Sequence, residues 1–109
     1  MASEDFDLYI GNDNTINLRG VRDGNSVALN YINNATVVAT LYDRDGNEVP
    51  GQTWPTSLGY IAASNGDYQG NLDDSLRIGE RSGYTLEIEI DAGGDNKAKF
   101  RRSGRGVWR

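Results

Sequence analysis

The sequence predicts an all-β fold of two packed sheets or a closed barrel, and three observations lead there. Apolar residues recur with a period of two, turn-forming Gly, Asn and Asp interrupt them roughly every eight to twelve residues, and no stretch carries the stripe of an amphipathic helix. Fourteen glycines in 109 residues are enough to supply those turns. A chain of this length has the size of one core, so 1–109 reads as a single β-sandwich domain, with 103–109 a basic C-terminal tail free to be flexible.

Phe6, Leu8 and Ile10 alternate with Asp5, Asp7 and Tyr9 in a first strand, which Gly11-Asn12-Asp13-Asn14 ends as a turn. Ile16 and Leu18 alternate in a second. Arg22-Asp23-Gly24-Asn25 supplies the next turn, and Val27, Leu29 and Tyr31 resume the period. Thr36 to Tyr42 is the most β-prone run, rich enough in Val and Thr for a central strand with both faces partly covered. Asp43-Arg44-Asp45-Gly46-Asn47 closes it. Val49 to Thr53 is expected as a short partner strand, at an edge or bulge because Pro50 has no N–H to donate. Trp54-Pro55 reads as a corner, Leu58 to Ala63 as a strand, Ser64-Asn65-Gly66-Asp67 as a turn and Tyr68 to Leu72 as a further strand. Asp73 to Leu76 has room for one helical turn, with its acids at the favourable end and Gly79 to stop it.

The last hairpin is the most legible element. Tyr84, Leu86, Ile88 and Ile90 alternate with Thr85, Glu87, Glu89 and Asp91; beyond Ala92 to Asn96, Ala98 and Phe100 alternate with Lys97, Lys99 and Arg101. A five-residue loop sets Asp91 against Lys97, Glu89 against Lys99 and Glu87 against Arg101 on one face. The other face then pairs Ile90 with Ala98 and Ile88 with Phe100.

Composition narrows the chemistry. The chain has no Cys, which removes disulfides, thiolate metal sites and a thiol nucleophile; it has no His, the commonest general base and zinc ligand. Net charge is −5, unevenly spread. All sixteen acids precede Asn96, where only Arg19, Arg22, Arg44, Arg77 and Arg81 oppose them. From Lys97 onward every charge is positive. Such asymmetry marks either internal pairing or contact with an acidic partner, and the hairpin register absorbs Lys97, Lys99 and Arg101. Arg102, Arg105 and Arg109 are left over, and with Trp108 they form the candidate interaction surface. The acidic N-terminal residues carry no signal-peptide pattern, and no apolar run approaches the ~20 residues of a membrane span. Synthesis in a cytoplasm and no membrane partner are therefore expected.

Other constellations have structural readings. Glu87 and Glu89 lie ~6.6 Å apart along a strand, a workable spacing for a glycosidase pair; the cations opposite them oppose the raised pKa that an acid catalyst needs. Asp43, Asp45 and Asn47 start like a calcium loop, yet Glu48 and Trp54 stand where Gly and a bidentate Glu belong. No phosphate-binding glycine motif is present. Trp54 or Tyr60 on an exposed face would suit a carbohydrate-binding module, the alternative function. Tyr31, Trp54, Tyr68 and Tyr84 are expected in the core or at its corners. No catalytic, metal or cofactor residue is assigned, the net charge disfavours nucleic acid, and a small-molecule substrate is disfavoured too.

The run Asn33 to Gly46, followed by Val49-Pro50-Gly51 and Trp54-Pro55, resembles a group of small proteins of tailed bacteriophages and prophages. Ser64 to Gly70 and Gly83-Tyr84-Thr85-Leu86-Glu87 share the likeness, which spans roughly Ile10 to Phe100. The resemblance implies an immunoglobulin-like antiparallel β-sandwich of about seven to eight short strands, similar to small domains of tail and baseplate components. It brings no catalytic residues. It implies a virion structural or assembly module, made in a bacterial host cytoplasm and then carried in the particle, whose partners are other phage structural proteins or copies of itself.

Overall fold

The computed structural model describes residues 6–21, 31–93 and 97–108, and within them the chain is all-β, with no helix. Seven strands follow one another: β1 (Phe6–Tyr9), β2 (Asn14–Leu18), β3 (Thr36–Asp43), β4 (Thr56–Tyr60), β5 (Tyr68–Leu72), β6 (Gly83–Asp91) and β7 (Lys97–Val107). They hydrogen-bond in the order β1-β7-β6-β3-β4-β5-β2, a single sheet that almost closes on itself. The predicted Val27–Leu29 run, the Arg22–Asn25 turn and the tip of the last hairpin lie outside the described residues.

Alternation places the core. Val37, Ala39 and Leu41 of β3 are buried beside Leu86, Ile88 and Ile90 of β6, and Ile16, Leu18, Leu58, Tyr68 and Leu72 join them in one cluster. β3 is central, as its composition predicts, and its other face is half-covered. Tyr68, 1% exposed, brings a polar tip inside and satisfies it: its hydroxyl donates to Ile32 O (2.8 Å) and accepts from Ala35 N (3.0 Å). Tyr84 is also buried and Trp54 packs against the core, whereas Tyr31 is exposed rather than a core aromatic.

The β6–β7 register agrees with the sequence pattern at every predicted pair, from Asp91 opposite Lys97 to Glu87 opposite Arg101, with Ile88 opposite Phe100 on the far side. Arg101 meets Glu87 at 2.9 Å, and Lys99 reaches both Glu89 (3.3 Å) and Glu87 (3.7 Å).

Other expectations change as well. The sheet is mixed, because β1 runs parallel to β7. Alternation identifies a strand but not its partner, and this pairing depends on a glycine: a Cβ on Gly104 would fall 2.7 Å from the Phe6 ring, while one on Gly106 would fall 2.1 Å from Gly79 O in the segment before β6. For the same reason residues 103–107, read as the start of a tail, are strand. Their glycines admit neighbouring chain on both sides instead of marking a loop. Val49 to Thr53 is no strand; pairing stops at the Tyr42–Glu48 bridge and the Val49 N to Leu41 O bond. Gly51, at φ +113°, turns the chain aside there, and Gly51 O and Pro50 O accept from Ser75 Oγ and Arg77 N. Asp73 to Leu76 makes a single turn closed by Leu76 N to Asp73 O.

β4 changes partner along its length. Thr56 to Leu58 pair with β3, then Gly59 and Tyr60 pair with β5. The two edge strands, β1 and β2, both line one cavity of about 270 Å³, so they face each other across a seam.

Candidate interaction surface

The surface begins where the ladder of ion pairs on β6 and β7 runs out. Lys97, Lys99 and Arg101 each face an acid across the strands, but Ser103 faces Thr85 and Arg105 faces Gly83. Arg105 therefore projects on the charged face with no carboxylate opposite on β6. On its other side it is in register with Asp7 of β1, and no ion pair forms. The segment between β5 and β6 then folds over this end of β7: Glu80 bridges Gly106, Arg81 N donates to Gly106 O (2.8 Å), and Gly106 N donates to Ser82 O (3.1 Å). Arg81 takes a φ of +62°, a left-handed conformation uncommon outside glycine. Held this way, Arg81 joins Arg105, Glu80 and Trp108 around an open hollow of about 550 Å³. Neither Arg81 nor Arg105 makes an ion pair among the described residues, and Trp108 is 65% exposed.

The sequence-predicted residues are thus divided. Arg105 and Trp108 come together. Arg102 lies opposite Leu86 and leans across the seam, its Nη1 donating to Asn17 O (3.2 Å) and its guanidinium 5.6 Å from the Phe100 ring centre. It ties one edge of the sheet to the other. Arg109 lies outside the described residues. Arg81 was missed, and no local signal could have found it, because the contact that presents it joins residues far apart in the chain.

A second charged feature lies at the same end of the strands. Asp13, Asp73 and Asp74 are exposed and bring carboxylate oxygens within 4.8 Å of one another. Backbone bonds hold them there: Asp74 N donates to Asp13 Oδ1 (2.9 Å), and Asp73 N to Gln52 Oε1 (2.8 Å). The hydrogen bond shared with Asp73, followed by the charge of Asp13, raises the Asp74 carboxyl above its ordinary value; the same bond lowers Asp73. Three ligands of this kind fall short of the six to eight oxygens a calcium ion takes.

The remaining candidates have local roles. Asp43 Oδ1 accepts from Asp45 N (2.9 Å) and Asn47 N (3.0 Å), capping its own turn. Glu87 is engaged by Arg101 and Lys99, and the hydrogen bond to Glu89 is the main cause of a raised Lys99 pKa. Trp54 donates its indole N–H to Val49 O (2.8 Å). Tyr60 is exposed, its ring edge-on to Tyr68 at 5.6 Å.

Comparison of the chain with protein-family models, with curated proteins and with solved structures returned no match.

Proposed function

We propose that this domain is a non-enzymatic structural or assembly module of a tailed phage or prophage particle, working through protein–protein contacts at the end of β7. The observation that carries the reading is that two guanidiniums, Arg81 and Arg105, neither in an ion pair among the described residues, meet the largely exposed Trp108 around one hollow. Arg and Trp are among the side chains most often found as energetic anchors of protein interfaces. The phage assignment draws on the sequence resemblance. The sandwich architecture draws on β4, whose change of partner between β3 and β5 would let it turn a corner between two sheets around one core.

Contact by side chains fits this fold better than addition of a strand to an edge. β1 and β2 face one another, and two of their backbone groups are taken up by side chains: Tyr9 N donates to Asn14 Oδ1, and Asn17 O accepts from Arg102. A second reading, a carbohydrate-binding module, draws on exposed Tyr60. Trp54 is half-buried with its N–H committed and offers little to a sugar.

The test is capture by the tagged chain from an induced prophage lysate, read by mass spectrometry. Enrichment of head or tail proteins is the expected result. Retention on immobilised glycans, with no virion protein enriched, would replace this reading with the carbohydrate one.

A further inference from the structure

An assembly role leaves the partner open, and the placement of charge around the end of the sheet names one, on the premise that the domain is such a module. β1 and β7 finish together, with Val107 opposite Tyr9 and Ile10 N donating to Val107 O. β2 starts and β5 finishes at the same level, with Asn14 opposite Leu72, and the Asn14 side chain is bonded to both N and O of Tyr9. Asp13, Asp73 and Asp74 therefore share one end of the molecule with Arg81, Arg105 and Trp108. The two groups do not neutralise each other within the chain, since no ion pair joins them among the described residues.

We propose that two copies of the chain dock end to end about a two-fold axis, the Arg81–Arg105–Trp108 hollow of each receiving the Asp13–Asp73–Asp74 group of the other. In a two-fold contact a surface is its own complement, so every pairing is made twice. That arrangement requires both halves on one end of the molecule, as they are here; a head-to-tail chain would need them at opposite ends. Charge selects a second copy over nucleic acid, because a chain of net charge −5 repels phosphate while its acidic group suits the guanidiniums. The Asp74 pKa is raised first by its hydrogen bond to Asp73 and then by the charges of Asp13 and Asp73, which a partner's cations would offset. Trp108 adds apolar area to a contact that is otherwise charged and hence sensitive to salt.

Sedimentation velocity on the full chain over a range of concentrations, at low and high salt, tests this directly. The wild type should form dimers at low salt and dissociate at high salt. Arg105→Glu and Asp74→Lys should each weaken the dimer roughly ten- to hundredfold, because each change is felt at both copies of the contact. Mixing the two variants should restore it, since both repulsive pairs become attractive in the mixed dimer. Circular dichroism of each variant checks that it folds, and the salt series needs no variant. Monomers at every concentration, or a dimer indifferent to Arg105→Glu, would overturn the proposal. Assemblies that keep growing with concentration would overturn the two-fold geometry. If the chain is monomeric and still captures virion proteins, the dimer fails and the assembly reading stands; if it dimerises and captures none, the reverse holds.

Discussion

Replacing Arg101 should cost far more than replacing Lys97, although both make a cross-strand ion pair with an acid on β6. Lys97 and Asp91 are 3.9 Å apart with both side chains more than half exposed; such a pair is worth about 0–1 kcal/mol and is screened by salt. Glu87 is 8% exposed, and Arg101 bonds it at 2.9 Å through both Nε and Nη2. Among the described residues, Arg101→Ala leaves that carboxylate with only Lys99 at 3.7 Å. A fully buried, unmatched charge costs about 3–5 kcal/mol. Arg101 itself is 69% exposed, so water enters when it is removed and reduces the cost to about 1–2 kcal/mol, within the range for an unsatisfied polar group. In a domain near this size that lowers Tm by roughly 4–10 °C. Thermal and urea unfolding of Arg101→Ala, Lys97→Ala and Glu87→Gln, with the Arg101→Ala/Glu87→Gln double variant, would give a coupling energy of about 1 kcal/mol. Equal losses for Arg101→Ala and Lys97→Ala, or no coupling, would refute the inference that burial of Glu87 sets the strength of the pair.

Three further outcomes are expected. Tyr68→Phe removes the partner of both Ile32 O and Ala35 N inside the core and should cost about 1–3 kcal/mol by urea unfolding. Gly106→Ala sets a Cβ 2.1 Å from Gly79 O and should unfold or strongly destabilise the chain, while Gly59→Ala, with nothing within 4 Å of the new Cβ, should be nearly neutral in the same melt. Asp74→Asn should be more stable than wild type at neutral pH. With a raised folded pKa, the contribution of Asp74 is present at acid pH and lost as pH rises from its ordinary value through the raised one. The advantage of the variant should therefore shrink on acidification and with added salt; melting dilute protein across pH checks this, and a constant gap would contradict it.

The legible parts of the fold were those set by local periodicity. The β6–β7 hairpin could be read to the residue because its charges and apolar side chains each alternate, and a one-residue slip would put Ile88 where Glu87 is. The turn at Asp43 to Asn47 was legible because its hydrogen bonds lie within five residues. Partners distant in sequence were not legible. Nothing in Phe6 to Tyr9 indicates a parallel neighbour nearly 100 residues on, and Gly104, which admits Phe6, and Gly106, which admits Gly79, carry the composition of a loose tail. The same ambiguity divided the candidate surface. Arg105 and Trp108 were identified as unpaired charge and exposed aromatic, Arg102 proved to be committed to the seam, and Arg81 enters only through its backbone bond to Gly106.

The most direct test of an interface at the end of β7 is a parallel capture from one induced lysate with three baits: the wild type, an Arg105→Ala/Trp108→Ala variant, and Tyr60→Ala. Trp108 and Tyr60 lie at opposite ends of the strands, as the registers require. Contact at the end of β7 predicts that the double variant loses the virion proteins while Tyr60→Ala retains them. Retention by the double variant together with loss by Tyr60→Ala would contradict it and place the working surface at the other end of the domain.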